Sequence, residues 1–323
     1  MPEYNTPGKL PPEILKDDVL RYSGALRPEV LIGPGLGEDA ALIRWGEAPY
    51  LVAASDPVVG ATHGAGRLLV HINANDVACK GGDPAWFVAT LIVPAEEGLT
   101  RVRRLMEEIH ATCRSLGIAV VGGHTELTDR YDHPVLVGTM LGPSRHDLRA
   151  DKIREGDLVL VTKHVGLEGM SIIAHDRPDL LSFLNEAELN QVRSWQNDLS
   201  VLREARLLRD FARYLHDPTE GGLAGGLLEA RHSCGLGLAL DRPIPLSPLT
   251  ARASEKIGFD PLHLISSGVL MAALPPEGAE EAMRRLSEEG IDASVIGRFT
   301  APRECEEGPA DAHEELWRIL ALT

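Results

Sequence analysis

Two periods of apolar and polar positions run along this chain, and they predict its elements. From Arg67 to Pro84, RLLVHINANDVACKGGDP, apolar Leu68, Leu69, Ile72 and Val77 recur at helical spacing. One side of that helix is expected to face a core, while Asn73 and Asp76, three apart, share a different face. Gly81-Gly82 stops the helix and Pro84 prevents its resumption. A second stripe of Val102, Leu105, Met106, Ile109, Cys113 and Leu116 predicts a helix over 99–116, with Thr100 placed to cap it and Gly117 to end it. Short apolar runs predict strands: AALI at 40–43, YLVAASD at 50–56, WFVATLIVP at 86–94, IAVVGG at 118–123 and PVLVGTMLG at 134–142. The second of these is expected to be a buried strand that ends at Ser55-Asp56 before Pro57.

Strands alternating with a long helix, some in hairpin-like pairs, predict α+β layers rather than a doubly wound sheet. Residues 1–15 carry four prolines and predict an extended arm, followed by a helix-like piece at 13–25. The polar stretch SRHDLRADKIREG at 144–156 predicts a linker, so two domains are expected, 1–148 and 149–323. Beyond it come a strand at 157–165, a charged helical region to about Leu215, a strand VLMAALP, a helix at 277–290 and a strand DASVIGRF. A closing helix carries Leu316, Trp317 and Leu320 on one side.

Composition narrows the class. In 323 residues, 48 Asp and Glu outweigh 32 Lys and Arg for a net charge of −16, without a basic block, which argues against nucleic acid or an anionic membrane as partner. No apolar run long enough to span a bilayer occurs, and the start lacks a charged-then-apolar secretion signal, so a cytoplasmic protein is expected. Cys79, Cys113, Cys234 and Cys305 are widely separated and predict reduced thiols rather than a zinc site or disulfides.

The candidate chemistry lies where elements meet glycine turns. Gly33, Gly35 and Gly37 let backbone amides converge on an anion, and Glu38-Asp39 follow at once; the same pattern also serves as an ordinary glycine turn. Asp56 ends a strand, Asn75-Asp76 sit on the first helix, and Glu126 follows Gly122-Gly123-His124-Thr125. His124 fits a ligand or a turn hydrogen bond. Asp217 reads as an N-cap with Pro218 at the first helical position, and the helix that follows has an N-terminus suited to phosphate. Lys9 in the arm is either solvated or functional.

Taken in order, Gly37-Glu38-Asp39-Ala40-Ala41, Ser55-Asp56, Asn75-Asp76 with Gly81-Gly82-Asp83-Pro84, Gly122-Gly123-His124-Thr125-Glu126 and Asp217-Pro218-Thr219-Glu220-Gly221-Gly222 resemble the aminoimidazole ribonucleotide synthetase (PurM-like) superfamily. The second-half stretches GFDPLHLISSGVLMAALPPEGAEEA and ASVIGRF place the resemblance nearest its hydrogenase-maturation HypE-like branch. The resemblance implies a two-domain α+β fold, an N-terminal half that pairs in a homodimer around a β-barrel-like sheet, and ATP with Mg²⁺ in a cleft. By position it implies Mg²⁺ on Asp39, Asp56, Asp76 and Asp217, with Asn75 supporting Asp76. Gly33, Gly35, Gly37, Gly123, His124, Thr125, Glu126 and Thr219 would border the nucleotide, and Lys9 and Asp217 would be catalytic. Members phosphorylate or activate an acceptor, here a small molecule or a maturation partner. The HypE-like branch resembles a carrier ending in a reactive cysteine, whereas this sequence ends Ala321-Leu322-Thr323, and Cys305 is followed by a further amphipathic stretch. The acceptor is therefore left open, with a non-catalytic nucleotide-binding maturation or regulatory partner as the alternative.

Overall fold

The apolar runs of the first half become strands that flank two helices. A computed structural model describes residues 8–33, 41–44, 46–58, 64–302 and 313–322. The chain divides into two units, Met1–Val77 with Gly82–Arg145, and Ala78–Gly81 with His146–Thr323.

In the first unit the elements are β1 (Gly8–Lys9), α1 (Pro12–Leu15, continued by a π-helical turn Lys16–Leu20), β2 (Val30–Ile32), β3 (Leu42–Ile43) and β4 (Tyr50–Val58). There follow α2 (Ala65–Cys79), β5 (Trp86–Pro94), α3 (Gly98–Leu116), β6 (Ala119–Thr128) and β7 (Val135–Ser144). Five strands form one sheet in the order β1-β6-β5-β7-β4, and β2 pairs with β3 separately. Strands β5 and β6 run parallel, joined through α3, while β1 on β6, β7 on β5 and β4 on β7 are antiparallel. Although β6 and β7 follow each other in sequence, they flank β5 instead of forming a hairpin. Among the described residues the sheet is open, with β4 at one edge.

Helix α3 follows its stripe closely: Val102, Leu105, Met106, Ile109 and Cys113 are buried, and Gly117 ends the helix in the left-handed region at φ 73°. Its N-cap is Glu97, so Thr100 lies inside the helix and not at its cap. Burial pushes the Cys113 thiol far up, as befits a core residue. Strand β4 departs from its expected place. Leu51, Ala53, Ser55 and Pro57 are exposed, and the strand continues through Pro57 to Val58. Among the described residues β7 is its one strand neighbour, and an edge position tolerates a proline that donates no ladder hydrogen bond.

The second unit contains β8 (Leu158–Thr162), α4 (Leu167–Asp176), α5 (Glu186–Ser194), α6 (Leu202–Leu208), β9 (Tyr214–His216) and α7 (Gly222–Cys234). It continues through β10 (Gly237–Leu240), α8 (Pro248–Ile257), β11 (Met271–Leu274), α9 (Pro276–Glu288), β12 (Ala293–Thr300) and α10 (Glu315–Leu320). The sheet order is β10-β12-β8-β11-β9, with each neighbouring pair antiparallel. Val159, Val161, Met271, Ala273, Ile296 and Phe299 pack beneath α7 through Leu223 and Leu227. The charged helical region breaks into three α-helices and gives way to β9. In α10 the buried side is Leu316 and Ile319, with Trp317 49% exposed, because those two positions meet the unit's core. Among the described residues no helix is long and apolar enough to cross a membrane.

Candidate functional site

In the first unit the site begins with a buried amide. Helix α2 is covered nearly all round: Leu69, Val70, Ala74 and Val77 are fully buried, and so are Asn73 and Asn75. The expectation that Asn73 shares a polar outer face with Asp76 is corrected by what Asn73 binds. Its Oδ1 accepts the Asp56 N–H at 2.9 Å, and its Nδ2 donates to the Asp56 carbonyl at 3.3 Å and the Leu69 carbonyl at 2.9 Å. On an edge strand alternate N–H and C=O groups point away from the single neighbour and need partners elsewhere. Asn73 supplies them at Asp56. Gly138, opposite Asp56 on β7, makes room, since a Cβ there would lie 2.5 Å from Asn73 Nδ2. Ser55 Oγ adds a bond to the Gly138 carbonyl at 2.8 Å. The backbone of Asp56 is thereby fixed to the helix that carries Asn75 and half-buried Asp76.

A second set gathers on β6. Lys9 on β1 stands opposite Glu126 in the antiparallel ladder. His124 Nε2 and Glu126 Oε2, two apart on one strand face, lie 3.1 Å from each other and are partly exposed. Thr125, on the alternate face, is buried. Gly123 has a structural requirement of its own: at φ 148°, a Cβ would lie 1.9 Å from the Ala89 carbonyl oxygen of β5. Gly33 follows β2 in open surroundings, where a Cβ would meet only Val30 Cγ1 at 3.7 Å. Gly35, Gly37, Asp39 and Cys305 lie outside the described residues.

In the second unit Asp217 is not a helix cap. Helix α7 begins at Gly222 behind a left-handed Gly221, five residues after Asp217, which instead follows β9 directly and is 2% exposed. Its Oδ1 accepts from the Cys79 thiol at 3.7 Å. Thr219 is exposed and its carbonyl accepts the Gly222 N–H at 3.0 Å. The amide at the head of α7, expected to suit phosphate, is engaged by an internal anion: Glu314 Oε2 accepts from Gly221 N at 2.7 Å. Glu314 Oε1 accepts from Ile265 N at 3.2 Å and Leu316 N at 2.7 Å. Burial raises the Glu314 carboxyl above its usual range despite these bonds. Glu168, in the first turn of α4, is 4% exposed and accepts from Ser267 N at 3.2 Å. Burial chiefly, with the negative charges of Asp217 and Glu314 adding to it, pushes Glu168 up to about 7. Neither Glu168 nor Glu314 stands out in the sequence. Glu168 sits in a Gly-Leu-Glu-Gly turn, a weak signal, and Glu314 has none, since two of its partners come from distant segments.

Among the described residues no group of three or more His, Cys, Asp or Glu side chains is arranged to hold a metal ion. The donor set of the first unit still fits Mg²⁺ bound to a polyphosphate, because that ion takes one or two carboxylates and leaves its other positions to phosphate and water. Asp56 and Asp76 offer that number of carboxylates on fixed backbone.

Comparison with known proteins covers both units. The family model of the AIR synthase related protein N-terminal domain matches residues 37–143, and that of its C-terminal domain matches 154–307. The carbamoyl dehydratase HypE of Bradyrhizobium diazoefficiens is 32% identical over 243 residues, 73% of this chain and 69% of the relative. The fold is similar to the crystal structure of Escherichia coli HypE, a hydrogenase maturation protein, with TM-score 0.75 and 23% identity over 90% of this chain and 91% of that one. It is similar also to a HypE structure in complex with ATP, with TM-score 0.73 and 24% identity over 90% of this chain and 86% of that one.

Proposed function

The chain belongs to the AIR synthase-related protein family, and from that premise we propose that it is an ATP-dependent enzyme that activates a small-molecule or protein-borne acceptor by phosphoryl transfer. The observation that carries this reading is the Asn73 clamp, which joins the backbone of Asp56 to the helix bearing Asp76. A related HypE binds ATP, and another relative is named a carbamoyl dehydratase, which supports a nucleotide and an activated acceptor for this chain.

In this reading Asp56 and Asp76, with Asp39, hold Mg²⁺, and buried Asn75 supports Asp76. When bound, that ion supplies positive charge that lessens repulsion between phosphate oxygens and an incoming nucleophile. Gly33, Gly35, Gly37, Gly123 and Thr125 border the nucleotide, and Thr219 is kept as a nucleotide-binding candidate of the second unit. Lys9, opposite Glu126, contributes a cation at the sheet edge, and the His124–Glu126 pair orients the groups beside it. Asp217 is assigned to the acceptor end. Its burial beside Glu168, which holds a proton near neutral pH, suits a group that accepts or returns a proton away from bulk water. The protein works as a cytoplasmic homodimer paired through the first unit, a reading supported by the open edge of β4 and by exposed Tyr50 and Leu51, at 46% and 48%.

The test is incubation with ATP, Mg²⁺ and a metabolite extract, with mass spectrometry to ask which compound gains phosphate. A phosphorylated product with ADP supports the proposal. Binding of ATP without turnover across extracts and candidate maturation proteins would replace it with a non-catalytic nucleotide-binding partner.

A further inference from the structure

The second unit holds a cavity of about 750 Å³ that is not lined by Glu168, Asp217 or Glu314. It opens where β8 passes into α4, and Lys163 organises its wall. Lys163 is the one non-glycine residue with positive φ among those described, at 55°. Such a conformation persists when surrounding bonds hold it in place, and it marks a position worth a functional question. Its N–H donates to the Asp292 carbonyl at 2.8 Å. Its Nζ donates to the carbonyls of Asp198, Ser200 and Gly268 at 2.9, 2.8 and 2.9 Å, and pairs with buried Glu204 at 2.8 Å. The ammonium is fully engaged and its charge is balanced, so it offers nothing to an anion. What it does is bring the backbone of Asp198 and Asp292 to one mouth.

Those two aspartates are exposed, and among the described residues neither carboxylate has a hydrogen-bond or ion-pair partner. Arg203, the other cation of the wall, is taken by Glu289 at 2.7 Å. Both free carboxylates act on His164, whose ring packs edge-on against Trp195 with centroids 4.5 Å apart. Burial lowers the His164 pKa and keeps the ring neutral, against the opposing pull of a backbone hydrogen bond at Val165 and of the two carboxylates. Leu167, Leu246 and Pro248 add apolar wall. The lining thus combines two negative charges without a side-chain counter-ion, an aromatic pair and an apolar wall, in a volume that takes a whole small molecule. No set of ligands for a metal ion is formed there among the described residues.

We propose that this cavity binds a small organic cation, with its ammonium group at Asp198 and Asp292 and its aromatic body against Trp195 and His164. A cation beside an aromatic face gains further attraction when partly desolvated. The proposal rests on the second unit alone and is independent of the nucleotide reading.

Tyramine serves as the probe, with 4-ethylphenol as its neutral counterpart and 3-(4-hydroxyphenyl)propanoate as its anionic one. Calorimetry and ligand-observed NMR on the full chain are expected to show tyramine binding at least tenfold tighter than either control. The double variant Asp198→Asn/Asp292→Asn is expected to lose tenfold or more in tyramine affinity, with an unchanged melting temperature and unchanged ATP binding. Absence of tyramine binding at millimolar concentration, equal binding of 4-ethylphenol, or undiminished binding by the folded double variant would each overturn the proposal. The two controls on the unaltered chain keep the test decisive should the double variant fail to fold.

Discussion

The two units hold the acidic residues of the candidate site in opposite ways. In the first, Asp56, Asp76 and Glu126 keep partial contact with solvent while the backbone beneath them is fixed by buried polar bonds, most plainly those of Asn73. In the second, Asp217 and Glu168 are sealed from water, and Glu168 and Glu314 are pushed toward the protonated form. A carboxylate with water access stays ionised at little cost and is ready for a cation. One that is buried must find donors or keep its proton. In the proposed function this difference is why the metal-bound phosphate is given to the acids of the first unit and proton handling to Glu168 and Asp217 of the second.

That contrast can be broken at several points. The largest effect is expected from Asn73→Ala, which strips partners from the N–H and C=O of Asp56, while the Leu69 carbonyl keeps its helical bond. At roughly 1–3 kcal/mol for each group left unmet, the loss is about 2–6 kcal/mol in chemical denaturation, a large share of a typical domain's stability. A cost below about 1 kcal/mol would mean that the clamp does not hold β4 to α2.

Next comes Glu168→Gln, which sharpens the claim about the second unit. A carboxyl at about 7 when folded lies above its unfolded value near 4.5, so its stabilising contribution is full below the unfolded value and is lost as pH rises through about 7. Stability of the unaltered chain should therefore fall by roughly 3 kcal/mol from this group between about pH 4.5 and 8, and the glutamine variant should show a flatter profile over that window. Parallel profiles for the two proteins would remove Glu168 as a proton holder. The smallest effect is expected from Cys79→Ala. A thiol is a weak donor, so losing its 3.7 Å bond to Asp217 should cost well under a disulfide or core-leucine deletion, about 1 kcal/mol by thermal melting. A loss above about 3 kcal/mol would show that Asp217 depends on that thiol.

Much of the architecture was legible in the periodic pattern. Strands β5, β6 and β7 and the buried stripe of α3 fall where apolar spacing put them, and the family motifs pointed to the acids of the first unit. What escaped was fixed by long-range pairing. Asn73 has the spacing of a polar-face residue, yet the unpaired backbone of an edge strand draws it inward, a demand written 17 positions away at Asp56. The apolar run of β4 suggested burial, but whether a strand lies at an edge depends on sheet order, which no local pattern carries. Asp217-Pro218 has the chemistry of a cap, and the chain instead starts α7 at the glycine pair downstream. Glu314 is one acid in a charged segment until Gly221, Ile265 and Leu316 converge on it.

The central claim is that Asp76 anchors a metal-bound nucleotide on a preformed helix. Isothermal titration of ATP into the full chain, with Mg²⁺ and then with EDTA, compared with Asp76→Asn, tests it most directly. The account predicts Mg²⁺-dependent binding by the unaltered chain and a loss of about 100-fold or more in the variant, at an unchanged melting temperature. Equal affinity in the two proteins, or binding indifferent to EDTA, would contradict it.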